Sequence, residues 1–346
     1  MGNRLISLLA RRSRLILALS LGVGLAVPPL AAALKPLLAP GVIGLLWAAM
    51  VRLDVSDLRR HVRHPCRLLL SLALMMGGMP LVMWGIGQGL DHLFPIPGGI
   101  TAALVLMAAS PTLTSAPALA ALLRLDSALA LLLLLGGTAL VSFSAPLMML
   151  ALTPVPLGDL WTADGLAVRL LVLIAGTTLV AALSRRGMAC LSHGARAQGL
   201  ALVDLFSLLC MVVFAIALMD GVGPILWSRP WLIGGLLLLS YALALLALLG
   251  GMVIGGRAGL SRRVAASIGY CFANRNMALL IACLPPVAAT GESKATVDML
   301  WLWFAVVQFP IYTLPMLLTR PLQAWLAREG QNASGNSGHD QPEGNQ

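Results

Sequence analysis

Residues 263–285 read RVAASIGYCFANRNMALLIACLP, an apolar run that begins with Arg263 and has a second arginine, Arg275, near its middle. An apolar run of about 20 residues is long enough to cross the hydrocarbon core of a bilayer as a helix. A charged side chain near the bilayer centre costs ~2.5–3.5 kcal/mol on insertion scales, so it usually faces the protein interior or water. The alternative is a structural ion pair, and Asp204 is the one acidic residue clearly inside another predicted span. We favour a functional role for Arg275.

The composition of the whole chain agrees with a membrane location. Apolar residues make up 59% of the chain, charged residues make up 10%, and the mean hydropathy is +0.91. A soluble domain is about one quarter charged. Because backbone groups in lipid must be satisfied internally, and the period-two pattern of a membrane barrel is absent, the spans are predicted to be helices. The chain is therefore predicted to be an all-α polytopic membrane protein whose first partner is the lipid bilayer.

Apolar runs separated by glycine, proline and charged residues predict ten transmembrane helices. They lie at 15–34, 37–52, 68–90, 98–123, 127–152, 166–184, 199–219, 231–255, 263–285 and 297–318.

The basic residues separate when the loops are assigned alternately to the two sides. Nearly all of the 23 lysines and arginines then fall on one side of the membrane. The opposite side holds only Lys35, Arg169, Arg229 and Lys294. The positive-inside rule then predicts that both termini are cytoplasmic, in a bacterial inner or plasma membrane. This placement explains the net charge of +10, so nucleic acid is not expected as a partner.

Both ends of the chain allow a second interpretation. The basic residues at 11–14, the apolar run after them and the alanines at 31–33 resemble a signal peptide. We expect the segment to be retained as the first helix, because the charge separation holds with it in place. The tail 329–346 is polar and rich in glycine and asparagine, and it is predicted to be disordered and cytoplasmic.

Ten spans divide into a first five-helix repeat at 1–155 and a second at 156–328. Because five is odd, the second repeat enters the membrane from the opposite face, which is the arrangement of an inverted repeat. The fourth span of each half is polar: 108–117 reads AASPTLTSAP and 267–276 reads SIGYCFANRN. Interrupted helices at matching places in two halves indicate a transport site.

Pro111 is expected to break span four, because it donates no hydrogen bond and clashes with the preceding turn. The free N–H groups of a new half-helix near Ser110 favour an anion at mid-membrane. A proline kink repaired by serine and threonine is the alternative, and the matching polar segment in span nine favours the break. The predicted substrate- or ion-binding residues are Ser110, Pro111, Thr112, Thr114, Ser115, Cys271, Asn274, Arg275 and Asn276.

No motif of an enzyme or of an ATP-driven pump occurs in the sequence. The five cysteines have no paired spacing, so disulfides are not expected. No cofactor or resident metal is predicted, and the chain is not expected to be an enzyme.

Several stretches together resemble the bile acid:sodium symporter superfamily, over spans one to ten. They are VIGLLWAAMVRLDVSDLRR at 42–60, HP at 64–65, MP at 79–80, PTLTSA at 111–116, LLRLD at 122–126 and NMAL at 276–279. The resemblance implies two inverted five-helix repeats, split into a panel and a core, with helices four and nine unwound and crossing. It also implies transport of a small organic anion, such as a bile-acid-like or keto-acid compound, by alternating access.

The departures from this family concern its sodium ligands. Ala116 and Pro117 stand where the family has a Ser-Asn pair, and Cys271 stands where it has a glutamate. Arg275 and Met75 take the places of two glutamines. The oxygen ligands that a hard cation needs are therefore largely missing. We expect Arg275 to act as a built-in cation that holds the crossover and meets the substrate's anionic group, with transport independent of sodium.

Two other functions stay open at this point. One is export of a metalloid such as arsenite, with Cys271 and Cys210 as thiolate ligands. The other is a non-transporting membrane sensor or partner subunit, because a fold does not determine a function. Substrate identity, coupling ion, direction and oligomeric state are not determined by the sequence.

Overall fold

The computed structural model describes residues 16–17, 19–52, 65–94, 96, 99–153, 163–283 and 291–336. Three regions with predictions lie outside these residues: the N-terminal arginines, the loop 53–64 that carries part of the family resemblance, and the tail from 337 onward. The predicted boundary between the two repeats, at 155 and 156, lies outside them as well.

The described residues form helices and no named strand. The helices are α1 (19–26), α2 (Pro28–Leu34), α3 (Leu38–Arg52), α4 (Pro65–Ala73), α5 (Met79–Leu93), α6 (Thr101–Ala109), α7 (Ala116–Leu122), α8 (Ser127–Leu152), α9 (Ala163–Ala189), α10 (His193–Ala217), α11 (Val222–Ser228), α12 (Pro230–Arg257), α13 (Arg262–Ala273), α14 (Met277–Cys283) and α15 (Gly291–Asn336).

Seven helices in the described ranges are long and apolar enough to cross a membrane. This confirms the prediction of an all-α polytopic membrane protein. The count of ten spans stays a prediction. Two of the predicted spans are each divided by non-helical residues into two short helices, α6 with α7 and α13 with α14, and neither short helix alone is long enough to cross a membrane.

Two boundaries differ from the sequence prediction. The chain at Lys35–Leu37 forms a 3-10 turn that joins α2 to α3, where a loop was expected. Pro36 fits this turn because its ring presets a helical φ and the turn does not need its N–H. At the other end, α15 continues to Asn336, into the stretch predicted to be a disordered tail. Polar composition alone does not end a helix, and helix ends are the least certain feature of a sequence reading.

The helices pack in two groups. The first group contains α2, α3, α9 and α10, and the second contains α4 to α8 together with α12, α13 and α15; α14 lies between the groups and contacts α3 and α9 as well as α6. In each half of the chain the earlier helices join the first group and the later ones join the second. This grouping agrees with the panel and core that the family resemblance implies, while the inverted relation of the two halves stays a prediction.

The helices α12 and α13 approach each other most closely at glycine. A Cβ on Gly269 would overlap the carbonyl group of Leu248, and a Cβ on Gly251 would overlap the backbone of Gly269. Small residues allow this backbone-to-backbone packing between membrane helices. The contact fixes the position of α13, whose C-terminal end carries the candidate site.

Candidate functional site

The fourth predicted span is broken. The helix α6 ends at Ala109, Ser110 is extended with φ −75° and ψ 153°, and helix resumes only at Ala116. The hydroxyl of Ser110 donates to the carbonyl oxygen of Met107 at 2.6 Å, so it satisfies one of the groups that the break leaves open. Pro111 therefore breaks the span, and the prediction of a break is confirmed over that of a kink.

The ninth predicted span is broken at the matching place. The helix α13 ends at Ala273, Asn274 is extended with φ −110° and ψ 95°, and α14 begins at Met277. The side-chain amide of Asn274 donates to the carbonyl oxygen of Tyr270 at 2.9 Å. Asn274 thus caps the end of α13.

The two extended segments cross and pair as an antiparallel bridge. The N–H of Leu113 donates to the carbonyl oxygen of Asn274 at 2.9 Å, and the N–H of Asn276 donates to that of Pro111 at 2.7 Å. The hydroxyl of Thr112 also donates to the carbonyl oxygen of Asn274, at 3.0 Å. Each break therefore satisfies backbone groups that the other leaves open, which is what a water-free interior requires. We call residues 110–115 and 274–276 the crossover.

Arg275 joins three segments at the crossover. Its side chain is only 3% exposed. Nε donates to the carbonyl oxygen of Phe272 at 3.0 Å, Nη1 to that of Ser110 at 3.1 Å, and Nη2 to that of Met75 at 3.1 Å. No carboxylate partner for Arg275 is found among the residues that the structure describes. The buried guanidinium is thus held by backbone carbonyl groups, and its Cζ lies 5.8 Å from the centre of the Phe272 ring.

The carbonyl of Met75 is free for this bond because of a local change in helix pitch. Between α4 and α5 the chain forms a π turn at Leu74–Gly78, in which the N–H of Met79 donates to the carbonyl oxygen of Leu74. The next bond in this register would come from residue 80, which is Pro80 and has no N–H. The carbonyl of Met75 therefore lacks a partner in its own helix, and the guanidinium supplies one.

Cys271 is fully buried beside the hydroxyl of Thr112 and the guanidinium of Arg275. Cys210, in contrast, packs in the first helix group, where its sulfur lies 3.2 Å from the position of a Cβ on Gly44. No cluster of three or more histidine, cysteine or acidic side chains suited to a metal occurs in the described ranges. Cys210 and Cys271 do not contact each other, so the structure does not support metalloid export with these two cysteines as ligands.

A small cavity of about 40 Å³ lies between the first helix group and the crossover. Thr114, Arg275 and Asn276 line it from the crossover, and apolar side chains of α3 and α10 form the opposite wall. Gln308 and Tyr312 line it from α15.

Sequence reasoning did not identify Gln308 or Tyr312 as site residues. They are spaced four positions apart in an apolar helix, so they lie on one helical face. Two polar side chains on one face of an apolar helix are the feature of the sequence that could have identified them as site residues. The side-chain amide of Gln308 donates to the carbonyl oxygen of Phe304 at 3.2 Å, which leaves its own oxygen available to the cavity.

The structure divides the predicted site residues into two sets. Those that line the cavity are Thr114, Arg275 and Asn276. Those within the crossover or next to it are Ser110, Pro111, Thr112, Cys271 and Asn274. Ser115 precedes α7 and its side chain does not cap that helix.

The sequence model of the sodium bile acid symporter family matches residues 39–220, more than half of the chain. The fold and this match show that the chain belongs to that family. No curated protein matches it. The matched region includes the first half of the crossover, whereas Arg275 and the second half lie beyond it.

Proposed function

We propose that the chain is a secondary transporter that moves a small organic anion by alternating access, without sodium as a co-substrate. Family membership supports the transporter class. The observation that carries the proposal is the guanidinium of Arg275, which is buried among carbonyl oxygens of α4–α5, α6 and α13 where the two broken helices meet.

The positions that correspond to the family's sodium ligands do not fit the sodium ions that the family name implies. Sodium is a hard cation and requires several oxygen ligands. The side chains of Ala116, Pro117 and Cys271 provide none. The carbonyl oxygens of Met75, Ser110 and Phe272 accept hydrogen bonds from Arg275. A permanent positive charge therefore occupies the place of an exchangeable one.

Arg275 has two roles in this proposal. Its bonds to three segments hold the crossover together, because a planar guanidinium presents several donors in fixed directions. Its remaining N–H groups make no hydrogen bond in the part of the chain that the structure describes, so donors and charge are left for an anion in the cavity. Thr114, Asn276 and Tyr312 line the same cavity with hydroxyl and amide groups that can donate hydrogen bonds to that anion.

A thermal-shift titration of the purified protein tests this proposal. Taurocholate and pyruvate are the two probes, each in sodium chloride and in choline chloride, with the uncharged amide of each probe as the matched control. A ligand at about 100 times its Kd stabilises the folded state by about 2.7 kcal/mol. We expect at least one anion to raise the unfolding temperature equally in both salts, while its amide does not.

Flux of the stabilising anion into proteoliposomes then separates a transporter from a binding protein. Uptake above protein-free vesicles in choline chloride is the expected result. An anion that binds without being transported, or that is transported only with sodium, would contradict the proposal.

A further inference from the structure

We propose that this carrier is an electrogenic uniporter, driven by the membrane potential, that releases organic anions from an inside-negative compartment. The inference rests on the proposed function and adds to it the driving force and the direction of net transport. It follows from which charges in the site can leave the protein during a transport cycle and which cannot.

The positive charge at the crossover cannot leave. In a symporter, a co-transported cation binds on one side and is released on the other, so its charge is added to that of the substrate in each cycle. Arg275 is part of the chain and is bonded to Ser110, Phe272 and Met75. When the carrier reorients, the guanidinium moves with the protein and later returns to its starting position. Its net contribution to the charge moved across the membrane in a complete cycle is therefore zero.

The cavity offers no carboxylate or imidazole, among the described residues, that could carry a co-transported proton in place of sodium. The titratable groups of the described residues that line it are Tyr312 and Arg275. Carboxylates near the spans bind elsewhere: Asp204 pairs with Arg52, and Asp220 pairs with Lys35 at 2.8 Å.

The thiol of Cys271 is the one further titratable group in contact with Arg275 in the described structure. It is fully buried and bonded within the crossover, where its role is in packing. Each cycle therefore moves only the charge of the anion.

In a uniporter the empty carrier returns without a second ligand, so its site must hold together when it is empty. The crossover is held by bonds between backbone groups and by the guanidinium, all of which belong to the protein. No exchangeable ion is needed to assemble it. The crossover therefore meets this requirement, and the experiment below separates a uniporter from an obligatory exchanger, whose return step requires a bound substrate.

The size of the effect follows from the charge moved. One elementary charge crossing the membrane is worth about 2.3 kcal/mol per 100 mV. A factor of ten in concentration corresponds to about 1.4 kcal/mol. A monovalent anion is therefore distributed roughly 50-fold in favour of the outside at about −100 mV. The carrier works as an exit route for such an anion unless its gradient exceeds that value.

Proteoliposomes with a clamped potential test the inference. Labelled pyruvate and labelled taurocholate are each placed at equal concentration on both sides, and a potassium gradient with valinomycin sets about −100 mV inside. We expect the label inside to fall roughly 50-fold relative to outside at steady state, and to stay equal at zero potential. The ratio does not depend on which way the protein inserts, because it is an equilibrium property.

Sodium and pH gradients of either direction are expected to leave that ratio unchanged. Flux with a ratio near one at −100 mV would overturn the inference and leave the proposed transport function intact. Accumulation driven by a sodium gradient would overturn both. If neither probe crosses at all, the proposed function fails and the inference fails with it.

Discussion

Replacing Arg275 with alanine is expected to loosen the crossover in a way that a small cation repairs. The substitution leaves the carbonyl groups of Met75, Ser110 and Phe272 buried without their donor. Each such group costs about 1–3 kcal/mol, so the gross loss is roughly 3–9 kcal/mol. Removing a charge that was costly to bury offsets part of this loss. We expect a net destabilisation of about 3 kcal/mol, which lowers the unfolding temperature by roughly 4 °C for a chain of this length.

Free guanidinium is expected to restore part of that loss, because the truncated side chain leaves a cavity of matching shape and donor pattern. With a Kd of about 1 mM, guanidinium at about 20 mM stabilises the variant by about 1.8 kcal/mol, which is more than half of the deficit. Tryptophan fluorescence during a thermal ramp in detergent measures both effects. The matched control is Arg257→Ala, at an exposed arginine near the end of α12, which should change little and should not respond to guanidinium.

The result that refutes this reasoning is simple to recognise. Arg275→Ala would unfold within a degree or two of the unchanged protein, or guanidinium would act on all three proteins alike. Either outcome would mean that the three carbonyl groups do not depend on the arginine.

Two further substitutions test the scaffold of the site. Gly269→Ala should destabilise the protein by about 2–3 kcal/mol, because the new Cβ meets backbone that cannot move aside, whereas Gly256→Ala has open space and should be neutral or slightly stabilising in the same thermal ramp. Pro80→Ala restores an N–H that competes for the carbonyl group used by Arg275, so the unfolding temperature should fall; Pro146→Ala, inside α8, should raise it, and equal increases for both would contradict the role of the π turn.

The sequence predicted the breaks and the depth of Arg275 because each follows from a strong local cost. A proline removes a donor within lipid, and an arginine at mid-span requires a polar environment. The partners of that arginine were not predictable in the same way. The free carbonyl of Met75 depends on a π turn, and single-residue changes in helical register are not fixed by composition.

The residues that line the cavity from α15 were also not predictable from the sequence. Gln308 and Tyr312 lie one turn apart on α15, but spacing gives only their shared face and not the helix they face. Only the folded chain shows that this face borders the cavity, across from side chains of α3 and α10. The 3-10 turn at Lys35–Leu37 is a similar case, since Asp220 lies far away in sequence and pairs with Lys35 only in the folded chain.

Binding of radioactive sodium to the purified protein tests the central claim most directly. With the guanidinium in the place of an exchangeable cation, we expect no saturable sodium binding, whether taurocholate or pyruvate is present or absent. Saturable binding of sodium to the protein with Arg275 intact would contradict the account.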